Sequence, residues 1–183
     1  MKLINVLNPE SVLCNVEVRS RKHAIEVVAK LICRGRDTLA ETYVFENLID
    51  RERLGCTALG NGIAIPHARV SGLSEPAASL IRLSSAIEFE KVEDIDVDLI
   101  FGLVVPEDYR DGDSGDFRAL VATLSDEDRL AAMRSARTSR ELFDAAVAGT
   151  DNNDRIDDDD NDDTVEPPDA DDLPAVHSGT RSG

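Results

Sequence analysis

The stretch Val97-Asp98-Leu99-Ile100-Phe101-Gly102-Leu103-Val104-Val105 is an almost unbroken apolar run that Pro106 closes. Its richness in Leu, Ile and Val predicts a strand, and the near absence of alternation predicts one covered on both faces. The elements around it agree. Ala24, Val27, Val28, Leu31 and Ile32 follow helical spacing within 19–34, with Ser20 as the N-cap and Gly35 just past the end. Residues 39–54 predict a second helix, with Val44, Leu48 and Ile49 inside, stopped by Gly55. Short strands are expected at 62–65 and 77–83. Helices are expected at 117–124, 127–133 and 138–148, the last opened by the capping-box pattern Thr138-Ser139-Arg140-Glu141. Two helices, strands, then further helices predict an α/β fold, a three-layer sandwich with a small mixed β-sheet flanked by helices.

Beyond Gly149 the periodicity stops. From Asp151 to Gly183 there are 12 acidic and 2 basic residues, with a run of four acids at Asp157–Asp160 and prolines at 167, 168 and 174. Such a segment buries too little apolar surface to fold, so a globular domain over 1–149 and a disordered acidic tail over 150–183 are expected. The Asp run lacks the central Gly and terminal Glu of a calcium loop, and no metal site is predicted.

The whole chain carries a formal charge of −17, and 25 acids against 18 bases remain once the tail is set aside. A body of that sign argues against nucleic-acid binding, which needs a basic footprint. Only 4 of the 20 basic residues are Lys. A lysine-poor acidic surface fits a protein of a high-salt cytoplasm, where screening relieves self-repulsion, or an ordinary acidic protein with a charged tail. No apolar run approaches the roughly 18 residues of a membrane span, and the opening Met1-Lys2-Leu3-Ile4-Asn5 turns polar too early for a signal sequence. Cys14, Cys33 and Cys56 are odd in number and contain no C-x-x-C pair, which predicts free thiols and a cytoplasmic location.

The chemistry concentrates in Gly55-Cys56-Thr57-Ala58-Leu59-Gly60-Asn61-Gly62-Ile63-Ala64-Ile65-Pro66-His67. A glycine-spaced turn leads into an apolar run that ends in one imidazole, expected at the end of a rigid element. Neutral imidazole is nucleophilic near pH 7. Gly60, Asn61 and Gly62 suit positive φ and can bring N–H groups towards an anion; an ordinary Asn-Gly turn before a strand is the other reading. His23 reads as a surface residue, His177 lies in the tail, and Cys56 reads as a packing residue. Glu88 and Glu90 alternate with apolar neighbours like a strand end.

With its flanks, this block resembles the active-site region of the phosphotransferase-system enzyme IIA domains of the fructose/mannitol and nitrogen-regulatory type. The likeness runs from roughly Leu7 to Ala148. It includes Ile49-Asp50-Arg51-Glu52-Arg53-Leu54-Gly55, the 97–106 run and Ser139-Arg140-Glu141-Leu142. It implies that His67 accepts a phosphoryl group from the phosphohistidine of HPr and passes it to a IIB component, most simply for fructose uptake. It also implies no cofactor and no insertion into the membrane. A nitrogen-type regulatory protein that docks on partners, with reduced or no transfer, is the alternative.

The resemblance places Arg51 beside the histidine, where a forked guanidinium can steady phosphoryl oxygens; a solvated cation at a helix end is the plainer reading. Arg53, two positions on, is expected to point elsewhere. Many members carry a second histidine where this chain has Asp116. That carboxylate could hold the second imidazole N–H of His67, repel an arriving dianion, or simply cap the helix that follows.

Overall fold

In the computed structural model, which describes residues 2–90, 95–110 and 115–149, the chain runs α1 (Leu3–Val6), β1 (Leu7–Val16), α2 (Arg21–Cys33), α3 (Glu41–Leu54), β2 (Ala58–Gly60), β3 (Ile63–Ala64), β4 (His67–Val70), β5 (Ala77–Glu90), β6 (Ile95–Pro106), α4 (Asp116–Leu124), α5 (Glu127–Ser135) and α6 (Ser139–Val147). All described residues fall in the first of two compact units, Met1–Asn152. The tail expected over 150–183 lies outside the described residues, as do residues 91–94 and 111–114.

The strands form one mixed sheet in the order β1-β5-β6-β3-β2, with β4 also on β6. β5 and β6 pair antiparallel; β1 on β5, and β3 and β4 on β6, are parallel. β6 is covered on both faces, as its apolar run requires. Leu99, Phe101 and Leu103 join the core beneath α1, α4, α5 and α6, whereas Ile100 and Val104 join the core beneath α2 and α3. Side chains alternate across a strand, so one continuous run serves two cores.

α2 lies close on the sheet because the facing residues are small. Ser79 and Gly102 pair across β5 and β6, and the Ser79 hydroxyl donates to the Val28 carbonyl at 3.1 Å. The helix starts fit their local signals. Ser20 accepts from the His23 amide in α2, Asp126 from Arg129 in α5, and Thr138 from Glu141 in α6.

Three expectations need amendment. β1 was not anticipated; Asn8, Pro9 and Asn15 obscure its pattern, and its edge position explains why Pro9 is tolerated there. β5 extends to Glu90, well past residue 83. His67 does not end a strand but begins one. Pro66 has no N–H to continue β3, yet its carbonyl accepts from Leu103 at 2.9 Å, and the chain rejoins β6 as β4 with His67 opposite Leu103.

Candidate functional site

His67 stands where three layers meet. β4 supplies the imidazole, the last turn of α3 supplies Arg51, and the start of α4 supplies Phe117, whose ring centroid lies 4.8 Å from that of the histidine. These residues line a cleft of about 860 Å³, together with Leu54, Arg69, Leu103, Val105 and Tyr109.

Both ring nitrogens have partners that define their roles. Nδ1 lies 2.9 Å from the Ile65 carbonyl, which can only accept, so Nδ1 carries the proton. Nε2 accepts from Arg51 Nε at 3.2 Å and therefore holds the lone pair. Arg51 is braced in turn by donating Nη1 to the Gly55 carbonyl at 3.1 Å. Burial pushes the His67 pKa below its ordinary value and the Arg51 charge pushes the same way, against the Ile65 hydrogen bond and the Glu52 charge, which raise it. The ring is thus neutral at pH 7, with its Nε2 lone pair accepting from a guanidinium.

A titration follows from this. Followed by NMR, the His67 imidazole should show a midpoint below about 6.5, the ordinary histidine value, and Arg51→Ala should move that midpoint up. The sign for stability is set by the same shift. An unfolded chain protonates this ring first, so its contribution is complete above the ordinary pKa and drains away as pH falls through the folded value.

The cleft places an imidazole lone pair, a cation and apolar side chains together, an arrangement that can receive an anionic group. Residues 5–146 match the model of the family described as phosphoenolpyruvate-dependent sugar phosphotransferase system, EIIA 2. The chain belongs to this EIIA 2 family. It is 36% identical over 147 residues to a nitrogen regulatory protein of Pseudomonas aeruginosa, covering 80% of this chain and 96% of that one. The crystal structure of nitrogen regulatory protein IIA-Ntr from Neisseria meningitidis superposes with a TM-score of 0.71 at 29% identity, over 79% of this chain and 99% of that one. The mannitol enzyme IIA of Escherichia coli, solved in complex with phosphorylated enzyme IIB, shares the fold with a TM-score of 0.62 at 18% identity, over 77% and 98% of the two chains.

Within this EIIA 2 domain, the residues singled out from sequence divide. His67 and Arg51 come together. Gly60, Asn61 and Gly62 have positive φ (87°, 50° and 76°), as expected, but they do not reach the histidine. The Gly62 carbonyl accepts from the Asp98 amide, whereas His67 lies opposite Leu103, about 16 Å further along an extended β6 at its usual rise. Their conformation closes the β2–β3 hairpin instead. Arg134 holds that turn, forking onto both Asp98 carboxylate oxygens and donating to the Asn61 carbonyl. In this structure the loop closes a hairpin and does not line the cleft of His67.

Asp116 is the first residue of α4, with Gly115 at the N-cap. Its carboxylate accepts from the Tyr109 hydroxyl at 2.9 Å, while the tautomer-fixing acceptor at His67 is the Ile65 carbonyl. Arg53 points less far away than its spacing implies; it reaches the cleft rim in an exposed ion pair with Asp50 at 2.7 Å.

Three contributors escaped the sequence reading. Arg69 follows His67 at the two-residue spacing that puts both on one strand face, and that alternation was the available signal. Its guanidinium donates to the carbonyls of Glu107 and Tyr109 at 3.1 and 2.6 Å. Tyr109 carried no signal; its hydroxyl donates to Asp116 at the start of α4 across a separation of seven in sequence. Glu52 did carry one. It occupies the third place of the Val44, Leu48, Glu52 stripe, four residues apart each time, and it is buried with the other two.

Among the described residues no group of His, Cys, Asp and Glu is arranged to hold a metal ion, and no helix is long and apolar enough to cross a membrane. Cys14, Cys33 and Cys56 are all free thiols.

Proposed function

We propose that this EIIA 2 protein accepts a phosphoryl group on Nε2 of His67 from the phosphohistidine of an HPr-type carrier and works on the regulatory side of the family. The observation that carries the reading is the paired commitment of the imidazole: Nδ1–H is held by a backbone carbonyl and the Nε2 lone pair sits beside Arg51. In the step itself, the Nε2 lone pair forms the new N–P bond as the donor's P–N bond breaks, and that electron pair returns to the donor nitrogen. Nδ1 keeps its proton throughout. Arg51 Nε–H leaves the lone pair for a phosphoryl oxygen, with the Gly55 carbonyl keeping the guanidinium in place. Phosphoryl transfer asks little more of a protein than such positioning and charge neutralisation.

Docking has a surface to use. Leu54, 85% exposed at the end of α3, lines the cleft together with Phe117, and Arg51, Arg53 and Arg69 line it with them. An apolar centre with a charged rim is the usual build of a transient interface. HPr would engage it as phosphoryl donor and a IIB component, where present, as acceptor. The nitrogen regulatory relatives support regulation over fructose uptake as the end use.

The test is intact-mass spectrometry at neutral to alkaline pH, after incubation with phosphoenolpyruvate, enzyme I and HPr from the same host. The expected result is a gain of one phosphoryl group, about 80 Da by atomic arithmetic for the group transferred. No gain with an HPr that is itself phosphorylated would overturn the reading. The end use separates in a second arm: stimulation of sugar phosphorylation in a reconstituted system with host IIB would favour uptake.

A further inference from the structure

A buried carboxylate one residue from Arg51 has no part in the step above, and its hydrogen bonds lead to the imidazole. Glu52 is 5% exposed. Its Oε1 accepts the Thr57 amide at 3.2 Å, its Oε2 accepts the Thr57 hydroxyl at 2.5 Å, and Arg21 Nη1 stands 3.6 Å from Oε1. A carboxylate placed on an apolar stripe needs such partners to remain there.

The destination of the Thr57 amide matters because of what lies opposite. In the β2–β3 hairpin Ala58 pairs with Ala64, so the next rung sets Thr57 against Ile65. Directly opposed residues in a hydrogen-bonded antiparallel pair exchange two bonds. One is present: the Ile65 amide donates to the Thr57 carbonyl at 2.9 Å. The return bond, Thr57 N–H to the Ile65 carbonyl, is replaced by Thr57 N–H to Glu52. The Ile65 carbonyl then accepts from Nδ1 of His67 at 2.9 Å.

We propose that Glu52 is a positioning residue that acts with the Arg51 donor at Nε2 to fix the tautomer of His67, drawing the Thr57 N–H away from the Ile65 carbonyl so that this carbonyl is committed to Nδ1–H and Nε2 is left as the nucleophile. The kinetic part of this inference rests on the function proposed above; the tautomer part does not. Glu52 touches neither phosphorus nor the imidazole and acts through two backbone groups. It also explains why a carboxylate stands where the stripe of α3 calls for an apolar residue.

Three variants and one direct measurement test it. Glu52→Ala releases the Thr57 amide to the hairpin rung. Glu52→Asp keeps the charge but is a methylene too short to reach, which separates geometry from electrostatics. Glu52→Gln retains an acceptor oxygen at full length. Imidazole nitrogen NMR should find wild type and Glu52→Gln protonated at Nδ1, and Glu52→Ala and Glu52→Asp with a measurable share of the Nε2-protonated form, limited by the Arg51 donor that still faces Nε2. Transfer from phosphorylated HPr should slow roughly ten- to hundredfold in the last two, as when an orienting partner of a histidine is lost, with Glu52→Gln restoring most of the rate.

Folded Glu52→Ala or Glu52→Asp protein with the wild-type tautomer and rate would overturn the inference. If neither folds, the wild-type protein decides. A scalar coupling across the hydrogen bond from the Thr57 amide nitrogen to the Glu52 carboxyl carbon is expected, and coupling to the Ile65 carbonyl carbon instead would overturn it. A wild-type protein that takes up no phosphoryl group refutes the function, while the imidazole spectra still judge Glu52.

Discussion

In His67→Ala protein phosphoryl uptake should be abolished, and in Arg51→Ala protein it should run about a hundred to a thousand times slower than in wild type, the cost of one preorganised donor at a site of developing charge. The first outcome follows from chemistry, since the other described histidine, His23, caps the start of α2 by accepting from the Arg19 amide and is absent from the cleft. The second follows from geometry. Arg51 already touches Nε2, the atom proposed to attack, so its guanidinium would be within reach of the oxygens around an incoming phosphorus. Arg51→Lys should recover only part of the rate, because a lysine cannot both brace on Gly55 and present a planar fork. Single-turnover transfer from phosphorylated HPr, read by intact mass, measures all three variants. A wild-type rate in Arg51→Ala would make this residue the solvated helix-end cation of the plainer reading.

The largest effect on stability should come from a residue far from the cleft mouth. A Cβ placed on Gly102 would lie 2.0 Å from Val28 Cγ1, 3.3 Å from Ser79 Oγ and 3.4 Å from Ile32 Cδ1. The first of these is an overlap that no rotamer change at residue 102 can relieve, because an alanine has none. α2 must lift from the sheet, and overpacking of this kind costs about 1–3 kcal/mol, here expected near the top of that range. For a domain of this size the melting temperature should fall by roughly 5–10 °C. Removing the clashing methyls tests the cause: Val28→Ala in the Gly102→Ala background should recover part of the loss, although Val28→Ala alone destabilises. The two substitutions should therefore be strongly non-additive. A melt of Gly102→Ala unchanged from wild type would mean that the helix settles at a greater distance without penalty.

Most of the architecture was legible because its signals are local. The 97–105 run, the helical spacing of α2 and α3, and the caps at Ser20 and Thr138 depend on residues within a turn or two of one another. What escaped was set by distant pairing. β1 is a strand because β5 lies beside it, and its own pattern, broken by Asn8, Pro9 and Asn15, would not reveal it. The backbone angles of Gly60–Gly62 were legible, but not their place, which depends on the register of β3 against β6. His67 and Arg51 were legible through family likeness. Asp116 was found the same way, yet its hydroxyl partner Tyr109 was not, since a bond between residues seven apart in sequence leaves no periodic trace. Glu52 was visible as a charged residue on an apolar stripe, a conflict between local pattern and burial of the kind that marks functional positions.

His67 is held between layers rather than within one. Its nitrogen is on the sheet, its cation on the α2/α3 side, and its aromatic wall on the side of α4 to α6. Arg51 and Phe117 are thus fixed to His67 by the thickness of the two cores that lie against β6. The site works as a gauge of those thicknesses. Small expansions of either core, from a cavity, a bulky substitution or a change of temperature, should register as altered phosphoryl chemistry well before they register as unfolding.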